Sequence, residues 1–311
     1  MDKELILQSS PLQGYTDAIY RKTHQKYFAG IDNYYTPFLR IERGDYRSKD
    51  LKDIHPDNNN EGIIPQLLPG DSEELKRMTD TLLALGWREC DLNFGCPFPM
   101  LVKRGKGAGM LKNLSVLEKI VEQIQNTKEL NFSIKMRLGF NELGEGIEAL
   151  DMFNSIELKY IICHSRLGID KYTSALRLDE FEQFYKKSRH PLIYNGNVNS
   201  LEFAQMLKQR FPALIGYALG RGLLQRPWLA KELKTGKQLS TPYTLIKQFH
   251  DELQAQYSNK LEGGDHQILN KLKTIWDYLL VDENPKAVKK IKKASSLAKY
   301  NQEVSNLFAP Y

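Results

Sequence analysis

The stretch DLNFGCPFPMLVKRGKGAGMLK, residues 91–112, starts as a strand and then abruptly stops being one. An apolar approach over Glu89–Phe94 runs into Gly95, Cys96 and Pro97, and the loop that follows carries Lys103, Arg104 and Lys106 among glycines 105, 107 and 109. Proline removes a ladder donor and glycine weakens an extended run, so the strand ends there. A thiol is thereby held at a strand end, beside positive charge that could meet a phosphate backbone. A small buried residue in a turn is the plainer reading of a cysteine. An asparagine just before the thiol and a cationic loop just after it are poor core material.

Working outward, short apolar segments rich in β-branched and aromatic residues recur at Glu4–Gln8, Asn33–Phe38, Gly62–Leu68, Glu89–Phe94, Phe132–Arg137, Lys159–His164, Pro191–Asn195 and Leu214–Leu219. Such runs suit buried parallel strands. Amphipathic stretches at Ser72–Leu85, Ser115–Thr127, Gly146–Ile156, Asp179–Lys187 and Ser200–Arg210 separate most of them, with N-cap candidates at Asp71 or Ser72, Asn113 or Ser115, and Asn199 or Ser200. The alternation predicts an α/β fold, a (β/α)8 TIM barrel, with a doubly wound open sheet as the competitor. After about Gly236 the strands vanish. Pro242–Tyr257, His266–Leu280 and Pro285–Tyr300 read as helices, broken between the first two by Glu262-Gly-Gly-Asp265. The expected organisation is a barrel over 1–239 followed by a small C-terminal helical domain over 240–311.

Composition narrows the class. The chain has 311 residues, enough for a barrel of about 250 residues and an appendage. Its three cysteines, Cys90, Cys96 and Cys163, form no CxxC pair, which points to a reducing compartment and away from a structural metal site. The opening MDKELILQSSP is too short an apolar run for a signal peptide and no membrane-spanning run follows, so a cytoplasmic protein is expected. A net charge of +6 suits a polyanionic partner without establishing one.

In parallel barrels the chemistry gathers at the carboxyl ends of the strands. Those ends here read Ser10-Pro11-Leu12-Gln13-Gly14, Gln66, Asn93 to Cys96, Lys135 with Arg137, His164 with Arg166, Asn195-Gly196-Asn197 and Gly220-Arg221-Gly222. Lys135 sits in Ser-Ile-Lys-Met-Arg, a strand that otherwise buries its side chains, and needs an anionic ring or phosphate as partner unless it snorkels to solvent. The two glycine turns follow the seventh and eighth strands, where barrels place phosphate sites, and Arg221 adds charge. This pattern predicts an enzyme with a phosphorylated cofactor. Lys286, Lys289, Lys290, Lys292 and Lys293 crowd one helix; such a run is commonly a solvated face, and on a nucleic-acid enzyme it becomes a second grip.

Asn93-Phe-Gly-Cys96-Pro97, followed by Val102, Gly105, Gly107-Ala108-Gly109 and Leu111, resembles the signature of the tRNA-dihydrouridine synthases of bacterial type, flavin enzymes that reduce selected uridines in tRNA. The resemblance spans nearly the whole chain. It implies tight, non-covalent FMN, NADPH as reductant, a monomer with no metal and no membrane contact, and tRNA as partner, with a uridine of the D-loop as target. Pro11, Leu12, Gln13, Gln66, Lys135, His164, Asn195, Gly196, Asn197, Gly220 and Arg221 match the cofactor-binding positions. Cys96 matches the catalytic thiol, the general acid that protonates carbon 5 of uracil while hydride goes to carbon 6. Its basic neighbours could lower the thiol pKa and so oppose that role. Asn93, Lys103, Arg104, Arg137 and Arg166, with Lys271, Lys273, Lys286, Lys289, Lys290 and Lys293 of the helical part, are the expected substrate and RNA contacts. The chain departs from the family in having Ser10-Pro11-Leu12 for Ala-Pro-Met and Ser165-Arg166-Leu167 for Gly-Arg-Thr. The rivals are a flavin barrel acting on a free pyrimidine or enone, and a non-catalytic RNA-binding protein.

Overall fold

The computed structural model describes residues 5–310. Its parallel strands are β1 (Ile6–Ser9), β2 (Asn33–Tyr35), β3 in two pieces (Ile63–Ile64 and Gln66–Leu67), β4 (Glu89–Phe94), β5 (Asn131–Arg137), β6 (Ile161–His164), β7 (Leu192–Asn195) and β8 (Gly216–Leu219). One piece of β3 pairs with β2 and the other with β4, so Pro65 sits where the sheet closes on itself. Around the ring each strand otherwise pairs with its sequence neighbours, and β8 returns to β1 with Ile6 beside Gly216. Gly216 must be glycine: a Cβ there would run into the Ile6 carbonyl oxygen. The fold is the expected TIM barrel rather than an open doubly wound sheet. Glu4, the expected start of the first strand, lies outside the described residues, as does Tyr311.

Asp71, Asn113 and Ser200 are the N-caps in use. The helix Ala18–Tyr27, not anticipated from the sequence, crosses from β1 to β2. It buries Arg21 and His24, polar residues that hide its apolar face from a periodicity count. His24 is held at both ring nitrogens, by the Tyr34 hydroxyl at 2.7 Å and the Pro227 carbonyl at 3.0 Å. Burial keeps it neutral by lowering its pKa to about 4. The helix Ser48–Ile54 and the small hairpin of Ile41–Glu42 with Asp45–Tyr46 are further additions.

The C-terminal part contains Tyr243–Lys260, Gly264–Ile275, Pro285–Lys293 and Leu297–Phe308. Pro285–Tyr300 is therefore two helices, not one. Ser296 turns out of the helical region and its hydroxyl accepts the Lys299 amide at 3.2 Å, starting a new helix. The second expected helix ends early, at Ile275, and turns carry the chain past Leu280. These helices share one apolar core with Tyr20, Phe28, Leu224 and Trp228. Polar ties reinforce the junction: Lys271 pairs with Asp17 at 2.8 Å, and the Tyr257 hydroxyl donates to Asp17 at 3.0 Å.

Three of these helices meet at the Tyr300 hydroxyl, which receives the Trp276 indole N–H at 2.8 Å and lies 2.7 Å from His250 Nε2. Tyr300→Phe strands two buried polar atoms and should cost about 2 kcal/mol. Thermal denaturation reads this as a fall in Tm; an unchanged Tm would show that the knot does not hold the helices.

Candidate active site

The inward faces of β3, β4 and β5 carry polar residues in register. Gln66 lies beside Asp91 and Asp91 beside Ser133, and in a later row Asn93 lies beside Lys135. Below them Tyr35, Ile64, Tyr160, Ile162, Ile193 and Ala218 fill the barrel. Above them opens a cleft of about 290 Å³, lined by Ser10, Pro11, Leu12, Gly95, Lys135, Arg137, His164, the turn Asn195–Asn199, Gly220–Gly222, Tyr172 and Tyr278.

Lys135 is half-buried and donates to Asn195 Oδ1 at 2.9 Å, while Asn195 donates to the Ala218 carbonyl at 2.7 Å. Burial, and after it the charge of Arg137, brings the lysine pKa down to about 8. His164 is buried with no partner at Nδ1, and burial backed by Arg137, Lys135, Arg166 and Arg221 holds it far below its ordinary pKa, hence neutral. Arg137 donates to the Gly95 carbonyl at 2.9 Å and the Leu167 carbonyl at 2.7 Å. Its guanidinium carbon stands 5.0 Å from the Tyr172 ring centre, and that of Arg221 5.2 Å from the same centre. The phosphate-like turn is tightly made: Gly196 has φ 138° and Asn197 φ 48°. A Cβ on Gly196 would meet Ser165 Oγ at 2.8 Å. Arg166 is buried behind this turn, reaching the Ser174 carbonyl at 2.7 Å and Asn197 at 3.4 Å.

Cys96 follows β4 on a turn latched by Asn93, whose Oδ1 accepts the Gly95 and Cys96 amides at 3.0 and 2.9 Å. Burial raises the thiol pKa, outweighing the opposing hydrogen bond to the Phe98 backbone and the charges of Arg137, Lys135 and Arg40. The thiol therefore stays protonated at neutral pH, and the basic neighbours that could have lowered its pKa do not prevail. The loop explains why: Lys106 turns inward, 2.6 Å from Glu74 and 3.2 Å from the Ile41 carbonyl, and does not face solvent phosphate. The glycines that follow are packing devices. A Cβ on Gly107, at φ 59°, would meet the Cys96 carbonyl oxygen at 2.6 Å. Lys103 and Arg104 are exposed, as are Phe98 and Met100 next to Cys96.

Nine of the residues matched to the cofactor positions line this one cleft; Gln13 is exposed outside its lining and Gln66 is fully enclosed beneath it. Lys286, Lys289, Lys290 and Lys293 are exposed together on the helix Pro285–Lys293, and Lys273 is half-buried. Lys271 is spent on Asp17 and the Gly14 carbonyl. Sequence reasoning passed over Asp91 and Ser133, although the alternation in Asp-Leu-Asn-Phe and Ser-Ile-Lys-Met-Arg marks one polar face. Nothing in a loop sequence marked Tyr172 or Tyr278. Among the described residues no group of three His, Cys, Asp or Glu side chains could hold a metal, and no helix is long and apolar enough to cross a membrane.

Known proteins resemble this chain in sequence and fold. The model of the dihydrouridine synthase family matches residues 8–307. A probable tRNA-dihydrouridine synthase of Helicobacter pylori is 28% identical over 229 residues, 72% of this chain and 69% of that protein. The tRNA-dihydrouridine(16) synthase of Pseudomonas syringae pv. tomato is 26% identical over 238 residues, 74% of each chain. Among solved structures, an old yellow enzyme homologue from Zymomonas mobilis superposes with a TM-score of 0.50 at 13% identity, covering 76% of this chain and 90% of that one, a likeness of fold alone. The chain belongs to the dihydrouridine synthase family, whose members are flavin-dependent oxidoreductases.

Proposed function

We propose that this protein reduces specific uridines of tRNA to 5,6-dihydrouridine, with FMN held in the barrel cleft, NADPH as reductant and Cys96 as proton donor. The observation that carries the reading is the convergence of Lys135, neutral His164, the Gly196 turn and Arg221 in one cleft whose lining includes Gly95, the residue before Cys96. These residues fit a flavin phosphate. Ser10 Oγ and His164 Nδ1 are buried beside the cleft without partners, and the glycine turns expose backbone amides next to Arg221. When bound, the reduced flavin supplies the hydride. Lys135 would set its ammonium against the ring, Asn195 holding it in place. The Cys96 thiol, kept protonated by burial, would deliver the proton to carbon 5 of the base. Arg137, in the cleft lining, would polarise a uracil carbonyl.

The target base has to leave its stack to reach this depth. Exposed Lys103 and Arg104 would meet phosphates around the mouth, and the lysines of Pro285–Lys293 would form a second grip. On this reading residues 1–239 are the catalytic barrel and 240–311 the tRNA-binding domain of a cytoplasmic monomer. The similarity to the tRNA-dihydrouridine(16) synthase of Pseudomonas syringae favours an early D-loop uridine.

Lys135 generates a pH prediction. Its ammonium is the form that binds an anion, and without ligand it is lost as pH rises through about 8. FMN affinity of the apoprotein should be flat below that pH and weaken above it, and Lys135→Met should bind more weakly and abolish the slope. A slope that survives in the variant would remove Lys135 from the site.

Cys96→Ala should retain flavin and tRNA while base reduction falls by roughly 100-fold or more. Unaltered turnover would dismiss the thiol as donor. Lys290→Glu combined with Lys293→Glu should weaken tRNA binding about tenfold and reduce its salt dependence, with flavin content unaffected; equal affinity would return the patch to solvent.

A further inference from the structure

Asp91 is fully buried and, among the described residues, takes part in no ion pair within salt-bridge distance. Its two oxygens accept Gln66 Nε2 at 2.7 Å and Ser133 Oγ at 2.9 Å. Ionised, or carrying its proton on Oδ1 toward Ser133 Oγ, the carboxyl presents Oδ2 as an acceptor, so the amino end of Gln66 faces it and the carbonyl end faces away. That carbonyl receives Asn93 Nδ2 at 2.8 Å, which turns Asn93 Oδ1 toward the Gly95 and Cys96 amides. Backbone amides only donate. The acceptor at one end of the chain and the donors at the other thus demand the same orientation of both side-chain amides.

Stability does not account for this carboxylate. Burial without a cation at contact distance penalises it, raising its pKa to about 7 against the hydrogen bonds of Gln66 and Ser133 and the charge of Lys135. Gln66 and Asn93 have also committed amide groups inside the protein that would otherwise be free for a ligand.

We propose that Asp91 is a positioning residue for the proton donor: through Gln66 and Asn93 it latches the turn that carries Gly95 into the cleft lining and holds the Cys96 thiol beside it. The inference rests on the reading of Cys96 as donor. Its geometry is nonetheless open to a test that does not involve tRNA. Cys90 and Cys163 are buried while Cys96 is partly open, so alkylation by iodoacetamide, located by mass spectrometry, reports on this turn.

Asp91→Leu and Asp91→Asn, each made in the full flavin-loaded chain, separate the possibilities. Asp91→Leu leaves the buried Gln66 and Ser133 without their acceptor and frees Gln66 to reverse; it should lower Tm as Tyr300→Phe does but keep flavin, alkylate Cys96 several-fold faster, and lose up to about 100-fold in base reduction. Asp91→Asn should behave like the parent. Its carbonyl can accept from Gln66 while its amino group donates to Ser133 Oγ, whose own proton turns to the Cys90 carbonyl, 3.5 Å away. Parental alkylation and turnover in Asp91→Leu would overturn the proposal. So would a parallel loss of Tm, flavin and activity in both variants, which is the signature of a fold residue. If Asp91→Leu does not fold, Gln66→Met cuts the same relay, and an unchanged alkylation rate there would be equally fatal. If the parent reduces no uridine at all, the donor assignment fails, while the alkylation rates still decide the latch.

Discussion

The placement of an ammonium group inside a closed parallel barrel governs this molecule. Lys135 projects from the middle of a strand whose outward residues are core, and the closed ring leaves it only the mouth of the barrel as an exit. Everything around it answers that charge. Asn195 turns its carbonyl toward it, Asp91 lies below it, and His164 is kept neutral beside it. Arg137 and Arg221 add more positive charge around Tyr172 instead of cancelling any. A cleft so arranged favours an anion with an aromatic body, which is the chemical description of a flavin phosphate.

The polar rows below the cleft bear on the role proposed for Cys96, a cysteine at a strand end read as proton donor. Reactive thiols usually sit where cations lower their pKa. Here the cations on the loop are turned elsewhere: Lys106 neutralises Glu74, and Lys103 and Arg104 face solvent. Burial then dominates and keeps the proton on sulfur. A thiol that must donate gains from this, because its proton is present at neutral pH and leaves only when charge develops on the acceptor. The same loop uses Gly107 to bring its backbone against Cys96, so the cysteine is held from the Asn93 side and from the loop side.

Much of this was legible in the sequence. The strands were visible because parallel strands are buried on both faces and read as apolar runs, and the residues at their ends pointed to the cleft. What escaped has a common physical cause: a charged residue in a sequence reads as solvated until its partner is known. Lys106 finds Glu74 on a helix distant in the chain, and Asp91 finds Gln66 and Ser133 on neighbouring strands. The helix Ala18–Tyr27 was hidden because Arg21 and His24 occupy its buried face. The split at Ser296 is a local competition between a capping hydroxyl and helix continuation, which periodicity does not resolve. Tyr172 is recruited to the cleft by two guanidinium groups from different strand ends, a relationship only the closed barrel creates.

The central claim is that this cleft reduces a base in tRNA rather than a free small molecule. It is tested most directly by mapping dihydrouridine by mass spectrometry in unmodified tRNA incubated with the protein, FMN and NADPH. The account predicts the mass gain of two hydrogens at one or a few uridines, dependent on the flavin. A yellow protein that consumes NADPH and leaves every uridine unchanged would contradict it.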